Sequence, residues 1–149
     1  MIVGKSAGGT AMSIEEENKA IHRRVYEEIW NKGNLSVVDE IFDDNYIYHL
    51  LPQRRGPEWY KEMYHDFAGA FSDFHCKIED MIAEGDRVMV RTTITGTHKR
   101  EFLGIAPTDK PISVTEIAVV RVKDGKIVEE WGSPDLFSIM QQLDVFPSQ

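Results

Sequence analysis

The sequence predicts an α+β fold, with helices packed on the concave face of a curved antiparallel sheet that forms a cone-shaped partial barrel. Three observations carry this reading. Apolar residues recur at a spacing near four up to Ser72-Asp73 and at a spacing of two from Phe74 onward, a change from helix to strand periodicity. Tight-turn signals, Glu84-Gly85-Asp86 and Asp124-Gly125, separate the later runs, so successive strands double back on one another. Helical patterns stand at both ends of the chain, and one face of the sheet must receive them. Long twisted strands covered on one side curl, and a curled sheet closed by helices holds a pocket.

The elements follow in order. Ser13-Ile14-Glu15-Glu16 has the capping-box pattern. The helix it opens carries Ile21, Val25 and Ile29, with Tyr26 and Trp30 beside them, and Gly33 suits its C-terminal cap. A short second helix runs from Asn34-Leu35-Ser36 through Val38 to Ile41-Phe42, and Asp43-Asp44-Asn45 breaks it. Tyr46 to Leu51 is β-prone, and Pro52 to Gly56 is a loop. Pro57 suits the first turn of a third helix whose stripe reads Trp59, Met63, Phe67, Ala70 and Phe71. Strands are expected from Phe74 to about Ala83, over Val88 to Thr95, and from Ile112 to Val122, with a loop from about Lys99 to Lys110. After Asp124-Gly125 comes a last strand. Ser133-Pro134-Asp135 reads as a helix start with Ser133 as cap, followed by Leu136, Ile139, Met140 and Leu143 on one face.

The 149 residues suit one domain, and such a domain buries roughly 70% of its unfolded surface. Residues 1–12 read as a flexible tail and 13–149 as the domain. A net charge of −8 argues against nucleic-acid and anionic-membrane surfaces. The single cysteine, Cys76, excludes an intrachain disulfide and reads as a packed small hydrophobe. No apolar run reaches the roughly 18–20 residues that span a bilayer, and the first ten residues lack a signal-peptide core. The expected location is cytoplasmic. No phosphate loop, nucleophile elbow or dinucleotide fingerprint occurs.

Several stretches together resemble the SnoaL-like polyketide cyclases. They are Tyr26-Glu27-Glu28-Ile29-Trp30-Asn31-Lys32-Gly33-Asn34, Thr95-Gly96-Thr97-His98, Glu101-Phe102-Leu103-Gly104-Ile105 and Gly125-Lys126-Ile127-Val128-Glu129-Glu130-Trp131-Gly132. The likeness runs from about Asn18 to Leu143. It implies a cone of the nuclear transport factor 2-like kind and, commonly, a homodimer, here through the outer sheet face. For the cyclases proper it implies intramolecular aldol closure of a polyketide ester, with no cofactor and no metal, by an acid near the end of the sheet. Related folds run isomerisation, dehydration and epoxide hydrolysis, so the reaction stays open.

Aldol closure needs a base for a proton alpha to a carbonyl and a donor for the enolate oxygen. Strand parity groups Val128, Glu130 and Gly132 on one face and Ile127, Glu129 and Trp131 on the other. If helices cover the first face, Glu130 is the base and Trp131 lies outside; otherwise Glu130 is solvated. Asp135 is the rival acid, or else a carboxylate at a helix start. Glu116 is the one charge in the run from Val114 to Val120; it either pairs with Glu130 across one shared proton or bridges to Arg91 or Arg121. His49 and His98 are candidates to donate to the enolate or relay a proton, against structural roles. These histidines with the two acids lack tight metal-ligand spacing, and no metal is expected. Tyr26, Trp30, Trp59, Met63, Phe67, Phe71 and Phe102 are the expected lining of an apolar pocket for a planar, small ligand. Two function classes follow: an acid/base enzyme, or a non-catalytic ligand-binding or dimerisation domain on the same cone.

Overall fold

A computed structural model describes residues 11–146. The expected tail lies, up to residue 10, outside the described residues. Helix α1 spans Ile14–Arg24, and Ser13 caps it by accepting the Glu16 N–H at 3.2 Å. The helix then widens into a π-helical segment, Val25–Trp30, closed by Asn31 N–H donating to the Tyr26 carbonyl at 3.0 Å. Helix α2 is Ser36–Ile41 and strand β1 is Phe42–Tyr48. The helix ends before Asp43-Asp44-Asn45 as expected, but these residues already belong to β1, which starts at Phe42 instead of Tyr46 because Phe42 pairs with the last strand.

Helix α3 spans Gly56–Ala68. Its stripe is rotated from the expected one: Tyr60 is its fully buried aromatic, flanked by Met63, Tyr64 and Phe67, while Trp59 sits at the margin under Arg54. Phe71 is outside the helix and opens β2, Phe71–Glu84. Strands β3 (Arg87–His98), β4 (Pro111–Lys123) and β5 (Lys126–Pro134) follow, and α4 is Leu136–Gln142. Ser133 and Pro134 stay in the sheet opposite Ile117 and Glu116, so Asp135 caps α4 instead of Ser133.

The sheet is unclosed and ordered β1-β5-β4-β3-β2. Among the described strands only β1 and β5 run parallel; the other pairs are antiparallel, joined by tight turns between β2 and β3 and between β4 and β5 and by a longer loop between β3 and β4. Val88, Val90 and Ile94 of β3 and Ile112, Val114, Ala118 and Val120 of β4 face the core. Tyr26, Ile29, Val38 and Tyr60 cover them from the helical side. A bulge interrupts β5, where Val122 pairs with Ile127 but Arg121 pairs with Glu129. The extra residue, Val128, puts Ile127 and Glu130 on the concave face together and leaves Val128 with Glu129 outside. Simple alternation would have grouped Val128 with Glu130.

Gly132 has φ +124, and a Cβ there would sit 2.3 Å from the Ile117 carbonyl oxygen. Its own carbonyl accepts the Tyr48 hydroxyl at 2.7 Å. Close approach of β4 to β5 therefore demands glycine. Gly132→Ala is expected to destabilise the fold by roughly 2–3 kcal/mol, read as a shift in the urea midpoint at pH 7. An unchanged midpoint would mean the strands separate without cost.

Candidate active site

A small cavity of about 50 Å³ lies between the π-helical segment, α3 and the concave sheet. Tyr26 and Trp30 enter it from the π-helix, Tyr60, Met63 and Phe67 from α3, and Phe74, Cys76 and Ile94 from β2 and β3. The wider turn carries two aromatic rings into one cavity; local π-helix of this kind recurs at functional sites. Glu116 and Glu130 are the acids of the lining, and among the described residues no lysine, arginine or histidine lines it. A groove of about 540 Å³ shares Tyr48, Met63, Phe67 and Pro134 with the cavity and opens past Trp59, Phe102 and Leu103.

Burial governs both acids. The Tyr26 hydroxyl donates to Glu116 at 3.2 Å and the Tyr46 hydroxyl donates to Glu130 at 2.6 Å. Each bond favours the ionised form, yet loss of water outweighs it. Glu116 is pushed from 4.5 up to about 7 by burial. Glu130 is pushed to about 8, first by burial and further by the charge of Glu116. The acids do not share a proton across one short hydrogen bond. Glu116 stands opposite Pro134 and Glu130 opposite Val120, which separates them by roughly 13 Å of strand. Both line the common cavity, each with its own tyrosine. Nor does Glu116 bridge to an arginine: Arg91 pairs with Asp80 at 2.6 Å and Arg121 with Glu129 at 2.5 Å.

The other three candidate acid/base residues are placed elsewhere. Asp135 is at the surface, where its carboxylate accepts the Ser138 N–H at 3.0 Å and the Ser138 hydroxyl at 2.7 Å; these hold its pKa below the usual range. His49 follows β1 and stacks on Trp131 with ring centroids 4.7 Å apart, its Nε2 3.3 Å from Glu129. Arg87 lies over the other side of that indole, so this group belongs to the convex face. His98 is fully buried at the end of β3 against Phe71. Its Nδ1 accepts the Thr108 N–H at 3.2 Å, tying down the loop between β3 and β4. Among the described residues no three metal-ligating side chains converge.

The expected aromatic lining divides. Tyr26, Trp30, Met63 and Phe67 line the cavity, Trp59 and Phe102 line the outer groove, and Phe71 is core. Tyr46, Tyr48, Tyr60 and Phe74 were not singled out. Tyr48 had a signal in its β-prone run, and Tyr60 had one in its position four residues after Gly56 on α3, the spacing of the buried face.

Comparison with known proteins now has a site to refer to. The sequence profile of the SnoaL-like polyketide cyclases matches residues 20–143. The chain belongs to this family. It is 25% identical over 119 residues to nogalonic acid methyl ester cyclase of Streptomyces nogalater, covering 76% of this chain and 88% of that one. A structure provisionally assigned as a polyketide cyclase of Bacillus cereus is 31% identical, with TM-score 0.77 over 91% of this chain and 87% of that one. AclR of Streptomyces galilaeus, provisionally assigned as a hydroxylase, is 26% identical, with TM-score 0.79 over 91% of this chain and 85% of that one. The fold thus carries more than one assigned activity, and the reaction has to be argued from the site.

The raised proton affinities fix a sign for stability. A carboxyl with a native pKa above its unfolded value stabilises the fold through its bound proton. That contribution is complete below the unfolded value near 4.5 and is lost as pH climbs through about 7 for Glu116 and about 8 for Glu130. Urea unfolding is therefore expected to show stability falling between pH 5 and pH 8.5, by on the order of a few kcal/mol, and E116Q/E130Q should flatten the fall. Stability that rises over this range would place both acids in water.

Proposed function

We propose that this SnoaL-like chain is an acid/base enzyme of the cyclase type, acting without a cofactor on a small, apolar, planar carbonyl compound. One observation carries the reading: two acids with raised proton affinity line one aromatic cavity. Between their two pKa values the pair holds about one proton, most of it on Glu130. Glu116, the first to ionise, is then the base, and protonated Glu130 is the acid. Parity alone favours Glu130 as base; the neighbouring charge of Glu116 reverses the roles.

The steps balance without a co-reactant. The Glu116 carboxylate removes the proton alpha to the substrate carbonyl, while the Glu130 acid hydrogen-bonds to that carbonyl oxygen. The enolate carbon attacks a second carbonyl of the same molecule, a carbon–carbon bond forms, and the new alkoxide takes the Glu130 proton. The proton on Glu116 then returns to Glu130 through solvent at the mouth. A dry cavity strengthens each charge interaction and prevents quenching of the enolate. The absence of basic side chains from the lining favours a neutral ligand, such as an ester or ketone, over a carboxylate or phosphate.

The test needs no knowledge of the natural substrate. Exchange of the methyl protons of acetophenone and 1-acetonaphthone in D2O should be accelerated by the chain. Its kcat/KM should rise through about 7 and fall above about 8. Glu116→Gln should slow exchange by roughly 10²–10⁴-fold. If neither ketone exchanges faster than in buffer, the acid/base reading fails and the ligand-binding domain replaces it.

The same proposal places a second copy over the convex sheet face, where Trp131 is stacked by His49 and Ile117 is 50% exposed. Sedimentation should find a dimer at micromolar concentration, shifted toward monomer by Ile117→Lys. A wild-type monomer there removes this part of the proposal.

A further inference from the structure

Counting hydroxyl protons around the cavity isolates one tyrosine. Tyr26 spends its proton on Glu116, Tyr46 on Glu130, and Tyr48 on the Gly132 carbonyl. Tyr60 is different. Its oxygen accepts the Trp30 indole N–H at 2.8 Å, and no protein acceptor among the described residues takes its own proton. A phenol oxygen that accepts one N–H still has an O–H to place. Tyr60 is only 1% exposed and lines the cavity with Glu116 and Glu130, so the acceptor it lacks has to be something that enters the cavity.

We infer that Tyr60 donates to the carbonyl oxygen of the bound ligand, forming with the Glu130 acid a two-donor site for the enolate oxygen. This rests on the carbonyl chemistry proposed above. The surroundings hold Tyr60 for such a task. The Trp30 ring packs edge-on against Tyr60 at 6.0 Å and against Phe67 at 6.2 Å, which leaves the indole N–H one direction to point. That bond occupies one lone pair of the phenol oxygen and limits the arc through which its O–H can swing. Burial first, and the charge of Glu130 next, keep the phenol protonated well above its ordinary range. It therefore stays a donor across the whole pH window in which the acids titrate. Trp30 is then a positioning residue, set by the π-helical turn that ends on it.

Two measurements separate this inference from the reading it rests on. In the ketone exchange assay Tyr60→Phe should lower kcat by roughly 10²–10³-fold, as loss of one oxyanion donor does, with a much smaller change in KM. Trp30→Phe should give an intermediate loss, because the hydroxyl remains but is no longer aimed. Wild-type exchange in Tyr60→Phe alongside a dead Glu116→Gln overturns the role of Tyr60 and leaves the acid/base reading standing. The second measurement is independent of turnover. 2-Naphthol and more acidic naphthols, as mimics of an enolate oxygen, should bind with affinity that rises with their acidity and should give a far-downfield proton resonance. Tyr60→Phe should flatten that dependence and lose the resonance. Wild-type protein with a flat dependence, or with no naphthol binding at millimolar concentration, overturns the inference. If Tyr60→Phe fails to fold, the dependence in Trp30→Phe decides, since the inference requires it to weaken.

Discussion

Desolvation of two carboxylic acids is the constraint to which the rest of this molecule answers. A carboxylate in water is charged at neutral pH, and moving it into an apolar wall without compensation costs several kcal/mol. The fold meets that cost in two ways. Each acid has a tyrosine hydroxyl within hydrogen-bond reach, and each keeps its proton to a higher pH than it would in water. Tyr26 comes from the helical layer and Tyr46 from β1, so the two acids tie the helices and the parallel edge of the sheet to the antiparallel centre. These polar contacts sit among Phe42, Tyr60 and Trp30, whose rings stack in tilted and edge-on pairs. The aromatic packing and the proton affinities are one arrangement seen from two sides.

That arrangement depends on register. The bulge at Val128 brings Ile127 and Glu130 to the same face and so lets β5 supply both a core residue and an acid. Gly132 then allows β5 to approach β4 closely enough for the Ile117 carbonyl to fill the space where a side chain would be. On the convex side the same strand pairs Glu129 with Arg121 and presents Trp131 to His49. Neighbouring glutamates of one strand thereby take opposite fates. Glu129, beside a guanidinium, is held below the usual carboxylate range, and Glu130, in an apolar cavity, is held above it.

The order of helices and strands was legible because the change in apolar period is abrupt and the turn residues are strong. The acids Glu116 and Glu130 were legible as charges in apolar strands. What was not legible has physical causes. The bulge breaks the period-two rule at Val128, and no residue type there announces it. The π-helix shifts Tyr26 and Trp30 by one extra residue per turn, while its sequence is an ordinary helical one. The stripe on α3 was read from its largest residue, Trp59, whereas the helix rotates to bury Tyr60 and leaves the indole under Arg54. Ser133-Pro134 has the composition of a helix start, but pairing with β4 holds both residues in the sheet. His49, His98 and Asp135 were plausible by residue type and by position at strand ends, and only tertiary placement separates them from the cavity.

A protonated acid in an apolar cavity is a weak point for the fold and an asset for the proposed chemistry, and the same atoms account for both. If Glu116 and Glu130 were solvated, both would be ionised at neutral pH, and neither could donate to an enolate oxygen. If both were fully neutral, no base would remain. The geometry avoids each extreme by making the two sites unequal. In the proposed mechanism Glu116 ionises first, and its charge raises the proton affinity of Glu130. Separation along the strands keeps the pair from collapsing into a single shared hydrogen bond, which would leave neither group free to meet a ligand. The cavity is walled by rings that offer flat apolar contact and, at Tyr60, an O–H free to donate. A planar carbonyl compound lying there would meet both the proposed acid and the proposed base. The distance between its reacting carbon and its oxygen would then decide which substrates fit.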